Sequence, residues 1–384
     1  MTISLILIAL LGFIVLYAIV ISPISGLLKF FLGIAEMFVI GQLLIKYYKL
    51  TGEYGLILLR SKKGIALIHK IAKYEVAWRF LSDVGVVVSY GLLSFILMRN
   101  HVSWKSLLTG IVLLATVFFF VAPSALAILV SLLGVSVVER SAQSLSAFSV
   151  FFSLSIIMVL VGGLFLFFLI GLITYGVVIL AALLSTLLQG TQAITQTAPG
   201  AHLLLPGINL PFFEGILALL IILVVHESAH AVLARIAKIP ILSSGIVLFG
   251  VVPIGAFVEP DEAKLKKLER TKQTRVLVAG STANLISSVL LFAIFLIFTI
   301  SINLTGLATV KLLLPAIHFI SLVLGLGFAL NFVVGTVNLL PLPFFDGYRT
   351  LEINIAHKNA LKFVTAVTLI AFLLNFVPWL FVKG

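Results

Sequence analysis

The chain has 384 residues, 62% hydrophobic and 10% charged, with no cysteine and a formal charge of +12. A water-soluble domain cannot cover so much apolar surface, so the composition excludes one and specifies a polytopic membrane protein. In a soluble chain the positive balance would suggest nucleic acid, but here the basic residues lie between hydrophobic runs, as positive-inside topology requires, so no nucleic-acid partner is expected. Without cysteine there are no disulfides, and any metal must be held by His, Asp or Glu.

Thr2 to Ser22 and Gly26 to Ile45 are each long enough to cross a bilayer and meet at Pro23, which predicts a hairpin of two retained helices rather than a signal peptide. Lys46 to Phe80 carries Lys46, Lys49, Arg60, Lys62, Lys63, Lys70, Lys73 and Arg79 and is assigned to the cytoplasmic side. Within it Leu56 to Leu59 is too short to cross, and Gly64 to Lys73 suits the membrane interface. Gly85 to Met98 is short for a span and is expected to be re-entrant or interfacial. Leu107 to Leu133 is expected to cross with a bend at Pro123. Phe148 to Leu188 is about twice the roughly 20 residues that one crossing needs, which predicts two helices broken near Gly162 and Gly163. With Gly85 to Met98 left out of the count, Gly190 to Leu210, which has no Lys or Arg, falls outside.

Downstream the charges alternate more simply. Phe212 to Ile236 runs inward, Val276 to Ile300 returns, Leu312 to Leu340 enters again and Leu361 to Leu380 exits. The mixed run Asp261 to Arg275 reads as a solvated face. Ile241 to Val258 is apolar but punctuated by Gly245, Gly250, Pro253 and Gly255, which predicts short strands or a re-entrant hairpin. Such backbone is tolerated at membrane depth only where it is buried or lines a wet cavity. The expected fold is an all-α polytopic membrane protein, a transmembrane helix bundle with a short membrane-inserted strand or re-entrant region after the metal-binding helix. Its expected divisions are an N-terminal transmembrane region with a basic cytoplasmic segment over 1–189, an external loop over 190–211, a catalytic transmembrane core over 212–358 and a C-terminal helix over 359–384.

The chemistry concentrates in His226-Glu227-Ser-Ala-His230, an H-E-x-x-H motif inside an apolar run. Residues four apart share a helix face, so both imidazoles can close on one metal ion with Glu227 beside it, the signature of a zinc peptidase. Core packing of both histidines is the plainer alternative, but ionisable groups inside a membrane segment are costly and default to function. Catalytic zinc takes three protein ligands. Asp346, in Asn338-Leu-Leu-Pro341-Leu-Pro343-Phe-Phe-Asp346-Gly347, stands where prolines break a helix and can supply the third, unless it merely caps the next helix. Asn338 and Asn284 can each donate to a substrate carbonyl or oxyanion, or bond helix to helix. His318, set in another apolar helix, is read as a packing residue.

His226-Glu-Ser-Ala-His230, Gly280-x-x-x-Asn284, Asn338-x-x-Pro341 and Asp346-Gly347 together resemble the site-2 protease family of intramembrane zinc metalloproteases. The resemblance runs from about Pro206 to Glu352 and includes Pro253-Ile-Gly-Ala-Phe-Val-Glu-Pro260-Asp-Glu, similar to the strand region that the family inserts after its metal helix. Arg60 to Gly85 is only loosely similar to archaeal members. Two departures stand out: Ser301 to Leu312 leaves no room for the PDZ domain of many relatives, and Ser281 replaces a proline common in the family near Asn284.

The resemblance implies one zinc ion (Zn2+) per chain held by His226, His230 and Asp346, Glu227 as catalytic base and Asn338 assisting substrate or oxyanion. The substrate would be a membrane-anchored protein cleaved in or near a transmembrane helix, and the setting a multi-pass position in the cell membrane, within the lipid bilayer. The residues themselves agree on water activated by zinc and deprotonated by Glu227, and Gly245 to Val258 offers a backbone edge for an unwound substrate. The alternative is a transporter or channel that binds a metal ion in transit, which would give Glu227 no special role.

Overall fold

The computed structural model describes every residue except Met1, Ser25, Asn100, 134–144, Leu203, Leu205, Ile208 and 382–384. In chain order the elements are α1 (Thr2–Ile21), α2 (Gly26–Tyr48), β1 (Gly52–Glu53), β2 (Leu56–Arg60), α3 (Lys62–Ile71), α4 (Glu75–Tyr90), α5 (Ser94–Leu97), α6 (Trp104–Thr116), α7 (Ala122–Leu133) and α8 (Leu145–Gln189). They continue with α9 (Phe212–Ile236), β3 (Ile241–Phe249), β4 (Val252–Pro260), α10 (Glu262–Leu265), α11 (Arg270–Thr305), α12 (Leu314–Val337), α13 (Asp346–Asn354) and α14 (Lys358–Leu374). Among the described residues nine helical stretches are long and apolar enough to cross a membrane. With one small antiparallel sheet, this is a polytopic helical membrane protein.

Three expectations about the spans are refined. Gly85 to Met98 is the second half of a longer stretch, Glu75–Leu97, that is itself long enough to cross. Asp83 hid it in the sequence, and the structure shows why a carboxylate is admissible there: it forms a bidentate pair with Arg275, Nε to Oδ1 2.7 Å and Nη2 to Oδ2 3.0 Å. Arg275 is therefore not part of a solvated face. α8 breaks where expected, at Gly163 (φ 62), yet Ser153–Gln189 forms one candidate span. Before Pro123 the helix takes a π turn, Val117–Val121, because a proline has no N–H for the carbonyl four residues back.

The chain divides into two compact units. The first comprises Met1–Glu75, Leu204–Lys267 and Ser287–Asn331. Its sheet runs in the order β1-β2-β3-β4, antiparallel throughout. β3 and β4 fulfil the expected strands after α9, but β2 comes from the N-terminal basic segment, nearly two hundred residues earlier, which sequence periodicity over five residues could not assign. Ser61 locks the join: its N–H donates to Ser244 O (2.8 Å) and its carbonyl accepts from Ser244 Oγ (3.2 Å). The turns at Gly55 and Gly250 are bonded to one another, Gly250 N–H to Gly55 O at 3.0 Å. Both rest on the backbone of α2 at Met37 to Gly41, where added Cβ atoms would overlap backbone, so the sheet reaches the middle of a helix long enough to span. Phe13 and Tyr17 of α1 stack on Phe212 and Phe213 at the start of α9. α11 and α12 are joined by Gly306 to Leu313 alone, too short for a folded domain. His318 lies in the second turn of α12 and is exposed, not packed in a helix interior as expected, because the helix starts only at Leu314.

The second unit comprises Val76–Leu203, Leu268–Ile286 and Phe332–Gly384. Close backbone approach organises it. Gly85 faces Thr282 with no room for a side chain, and Gly335 packs on Asn284 and Leu285. Gly91 (φ 54) and Gly163 approach each other's backbones at two helix breaks. α14 packs on α8, where Asn375 Nδ2 donates to Leu172 O (3.2 Å), and Trp379 Nε1 donates to Ala201 O (2.9 Å).

Removing one member of a mostly buried ion pair strands the other charge, at about 3–5 kcal/mol. Asp83→Ala should therefore lower the thermal unfolding midpoint in detergent by several degrees, while Asp83→Leu with Arg275→Leu should recover much of the loss; additive losses in the double variant would contradict the pairing.

Candidate metal centre

α9 supplies the two histidines from one face. His226 is buried and His230 half-buried, with ring centroids 4.9 Å apart and the two Nε2 atoms 3.2 Å apart. Two nitrogens bound to one tetrahedral zinc at the usual Zn–N length of about 2.0–2.1 Å would lie roughly 3.3 Å from each other. The helical spacing thus aims both nitrogens at one point. Glu227 follows His226 on the same turn and is half-buried. Alanines 229, 231 and 234 are buried on this helix, which runs along β4; small side chains let backbones come close.

Asp346 is positioned by a loop built of helix breakers. α12 ends at Val337, and Asn338 to Phe345 form irregular turns interrupted by Pro341 and Pro343. The loop is cinched at its base, where Gly347 N–H donates to Asn338 O at 2.7 Å. Only glycine fits there, since a Cβ would overlap the Leu339 carbonyl oxygen. The spacing from Asn338 to Gly347 thus has a backbone cause. Phe344 stands in the left-handed region (φ 76) and is 99% exposed, a strained conformation of the kind found beside functional residues. Phe345 takes the N-cap position without a side-chain cap bond, and Asp346 is the first residue of α13, so the capping alternative does not describe it.

Among the described residues, one ligand atom each from His226, His230 and Asp346 lie within 4.8 Å of one another, a group that could hold a metal ion. Two imidazoles and a carboxylate suit zinc, which accepts nitrogen and oxygen donors and in catalytic sites uses three protein ligands. The donor set therefore fits the metal that the resemblance implies. Asn338, the other residue singled out from sequence, is half-buried at the end of α12, and its carbonyl serves the loop. Asn284 is fully buried on α11 against Gly335.

Replacing Gly347 by Ala should force the loop open at Leu339. The expected result is loss of metal from the purified protein, measured by elemental analysis, with the helical circular dichroism retained; unchanged metal content would show that the loop does not control Asp346.

Residues 214–378 match the model of peptidase family M50. Over 100 residues the chain is 39% identical to an uncharacterized protein of Methanocaldococcus jannaschii, a stretch covering 26% of this chain and 27% of that one. The chain thus spans about a quarter of the length of the curated relative it matches. No solved structure matches it. Residues 214–378, which carry the motif on α9 and the cinched loop before α13, thus match peptidase family M50, the site-2 protease family, over 165 of the chain's 384 residues.

Proposed function

We propose that the protein is an intramembrane zinc metalloprotease that hydrolyses a peptide bond in or near a transmembrane helix of a membrane-anchored protein, at a multi-pass position in the cell membrane. The observation that carries this reading is the convergence of His226, His230 and Asp346 beside a glutamate that a mere metal carrier would not need. Bound by those three residues, one zinc ion per chain would supply Lewis-acid chemistry, polarising a carbonyl and making water easier to deprotonate near neutral pH. The Glu227 carboxylate, next to His226 on α9, takes the proton from the attacking water and returns it to the leaving amine nitrogen. The Asn338 side-chain amide donates to the substrate carbonyl oxygen as charge develops on it.

A helical substrate conceals its carbonyls and must be held extended. β3 is paired on both sides, whereas β4 is the last strand of the sheet, so of the stretch Gly245 to Val258 only β4 leaves an edge open to strand addition. Pro253 and Pro260, which lack an N–H, are compatible with that edge position, and residues 254–259 between them retain theirs. β4 also lies along α9, the helix that bears His226, Glu227 and His230.

Two experiments test the reading. Glu227→Gln should keep its zinc and lose cleavage of a model transmembrane substrate by about 100-fold or more, while His226→Ala and Asp346→Ala should lose both; a Glu227→Gln protein altered only in metal flux would indicate transport instead. Proline at Ala256 or Val258 in β4 should raise KM or abolish cleavage while zinc content is kept, and full activity in both variants would overturn edge pairing.

A further inference from the structure

From Arg60 to Tyr74 the chain carries Arg60, Lys62, Lys63, Lys70 and Lys73 and no acidic residue. All five basic side chains are exposed, and among the described residues none of them meets a carboxylate. Like charges gathered on one short stretch repel each other. Lys62 and Lys63 occupy the first turn of α3, where the helix dipole disfavours cations and no acidic residue offsets them. The stability of the helix therefore does not account for this charge.

The two faces of α3 differ. Ile68 is buried and Gly64, Ile65 and Ile71 are half-buried, a helical stripe turned to α9 and β3, on which α3 packs. The opposite face carries Lys62, Lys63, Leu67 and Lys70, with Leu67 56% exposed among the cations. That is the composition of a helix lying in a membrane interface. Its orientation is fixed: Ser61 Oγ accepts from Gly64 N–H (3.2 Å), and a Cβ at Gly64 would meet Ser244 Oγ of β3 at 2.8 Å. Its depth follows from the sheet. The turn at Gly55 rests on α2 as far along as Gly41, and from Gly41 to Tyr48 the helix rises about 10 Å. The five residues of β2 span up to about 17 Å, long enough to carry the chain from that seat back to the end of α2 marked by Lys46 and Lys49, and α3 follows two residues after β2.

We propose that the outward face of α3 binds the anionic lipid headgroups of the leaflet at the C-terminal end of α2, with Lys62, Lys63, Lys70 and Lys73 pairing with lipid phosphates and Leu67 entering the interface. Charge complementarity selects an anionic occupant, and the position of α3 directly after a spanning helix selects a lipid one. An exposed leucine in the midst of the lysines suits the boundary between headgroups and acyl chains. Each basic residue beside an anionic surface strengthens attachment about fivefold. The inference is independent of the peptidase reading: it gives α3 a ligand of its own, outside the residues that match the family.

The chain has no cysteine, so Leu67→Cys gives a single site for a polarity-sensitive fluorophore in the full-length protein. Reconstituted in lipid nanodiscs of phosphatidylcholine with increasing phosphatidylglycerol, the labelled protein should shift its emission to the blue, and salt at about 1 M, where the screening length falls to about 3 Å, should reverse the shift. Adding Lys63→Gln should raise the phosphatidylglycerol fraction needed for half the shift about fivefold. The combination Lys62→Gln, Lys63→Gln, Lys70→Gln and Lys73→Gln should abolish it. A matched protein with Lys264→Gln, Lys266→Gln, Lys267→Gln and Lys272→Gln loses the same charge from another stretch and should respond like the labelled parent. Emission that ignores phosphatidylglycerol overturns the proposal, and so does an equal loss of response in the two fourfold variants, which would make the attraction a property of the whole surface. A shift produced by soluble polyglutamate but not by phosphatidylglycerol would make the face a protein-docking surface and overturn it as well.

Discussion

The constraint from which the rest follows is the cost of a polar or charged group in apolar surroundings. A charge at the centre of a membrane helix costs about 2.5–3.5 kcal/mol on insertion scales, so each one must be matched or used. Asp83 is matched by both arms of the Arg275 guanidinium. That pair fixes α4 on α11 and makes a 23-residue stretch with a carboxylate in it long enough and apolar enough to span. The two imidazoles of α9 are disposed differently. Their nitrogens meet each other at 3.2 Å, a separation that suits two ligands of one cation and equally a hydrogen bond between neutral imidazoles.

Glycine solves the second problem, that of bringing irregular backbone to the depth of helices. Backbone N–H and C=O groups away from water must be paired. The sheet pairs its own, and its turn ends seat on α2 at Gly41 and Met37, where Gly55 and Gly250 leave no space for a side chain. The loop before α13 is closed by the Gly347 N–H on the Asn338 carbonyl. In each place the same economy operates: removing a Cβ lets one main chain hydrogen-bond to, or rest directly upon, another. The residues that look inert in composition are the ones that shape the surroundings of the candidate ligands.

The unit that carries α9 depends on both ends of the chain segment preceding it. β2 and α3 close the sheet and cover α9 from the N-terminal side, and the aromatic pairs of α1 hold the helix at its other end. The N-terminal region is thereby part of the fold that presents the motif rather than an appendage to it. The family match begins only at residue 214, so this support comes from residues outside it.

By itself the sequence determined the membrane class, the number of most spans, the strand character of Ile241 to Val258 and the candidates His226, Glu227, His230 and Asp346. These are local or compositional: hydropathy, i and i+4 spacing, and glycine and proline as breakers all act over a few residues. Tertiary structure alone decided that Leu56 to Arg60 pairs with β3, that Glu75 rather than Gly85 begins a span and that His318 is exposed. Each of these depends on partners tens to hundreds of positions away, and pairing of that kind leaves no periodicity in the chain. Asp83 reads as a break in an apolar run until Arg275 is seen to neutralise it, because the free energy of a buried charge is a property of its neighbours and not of its own position in the sequence.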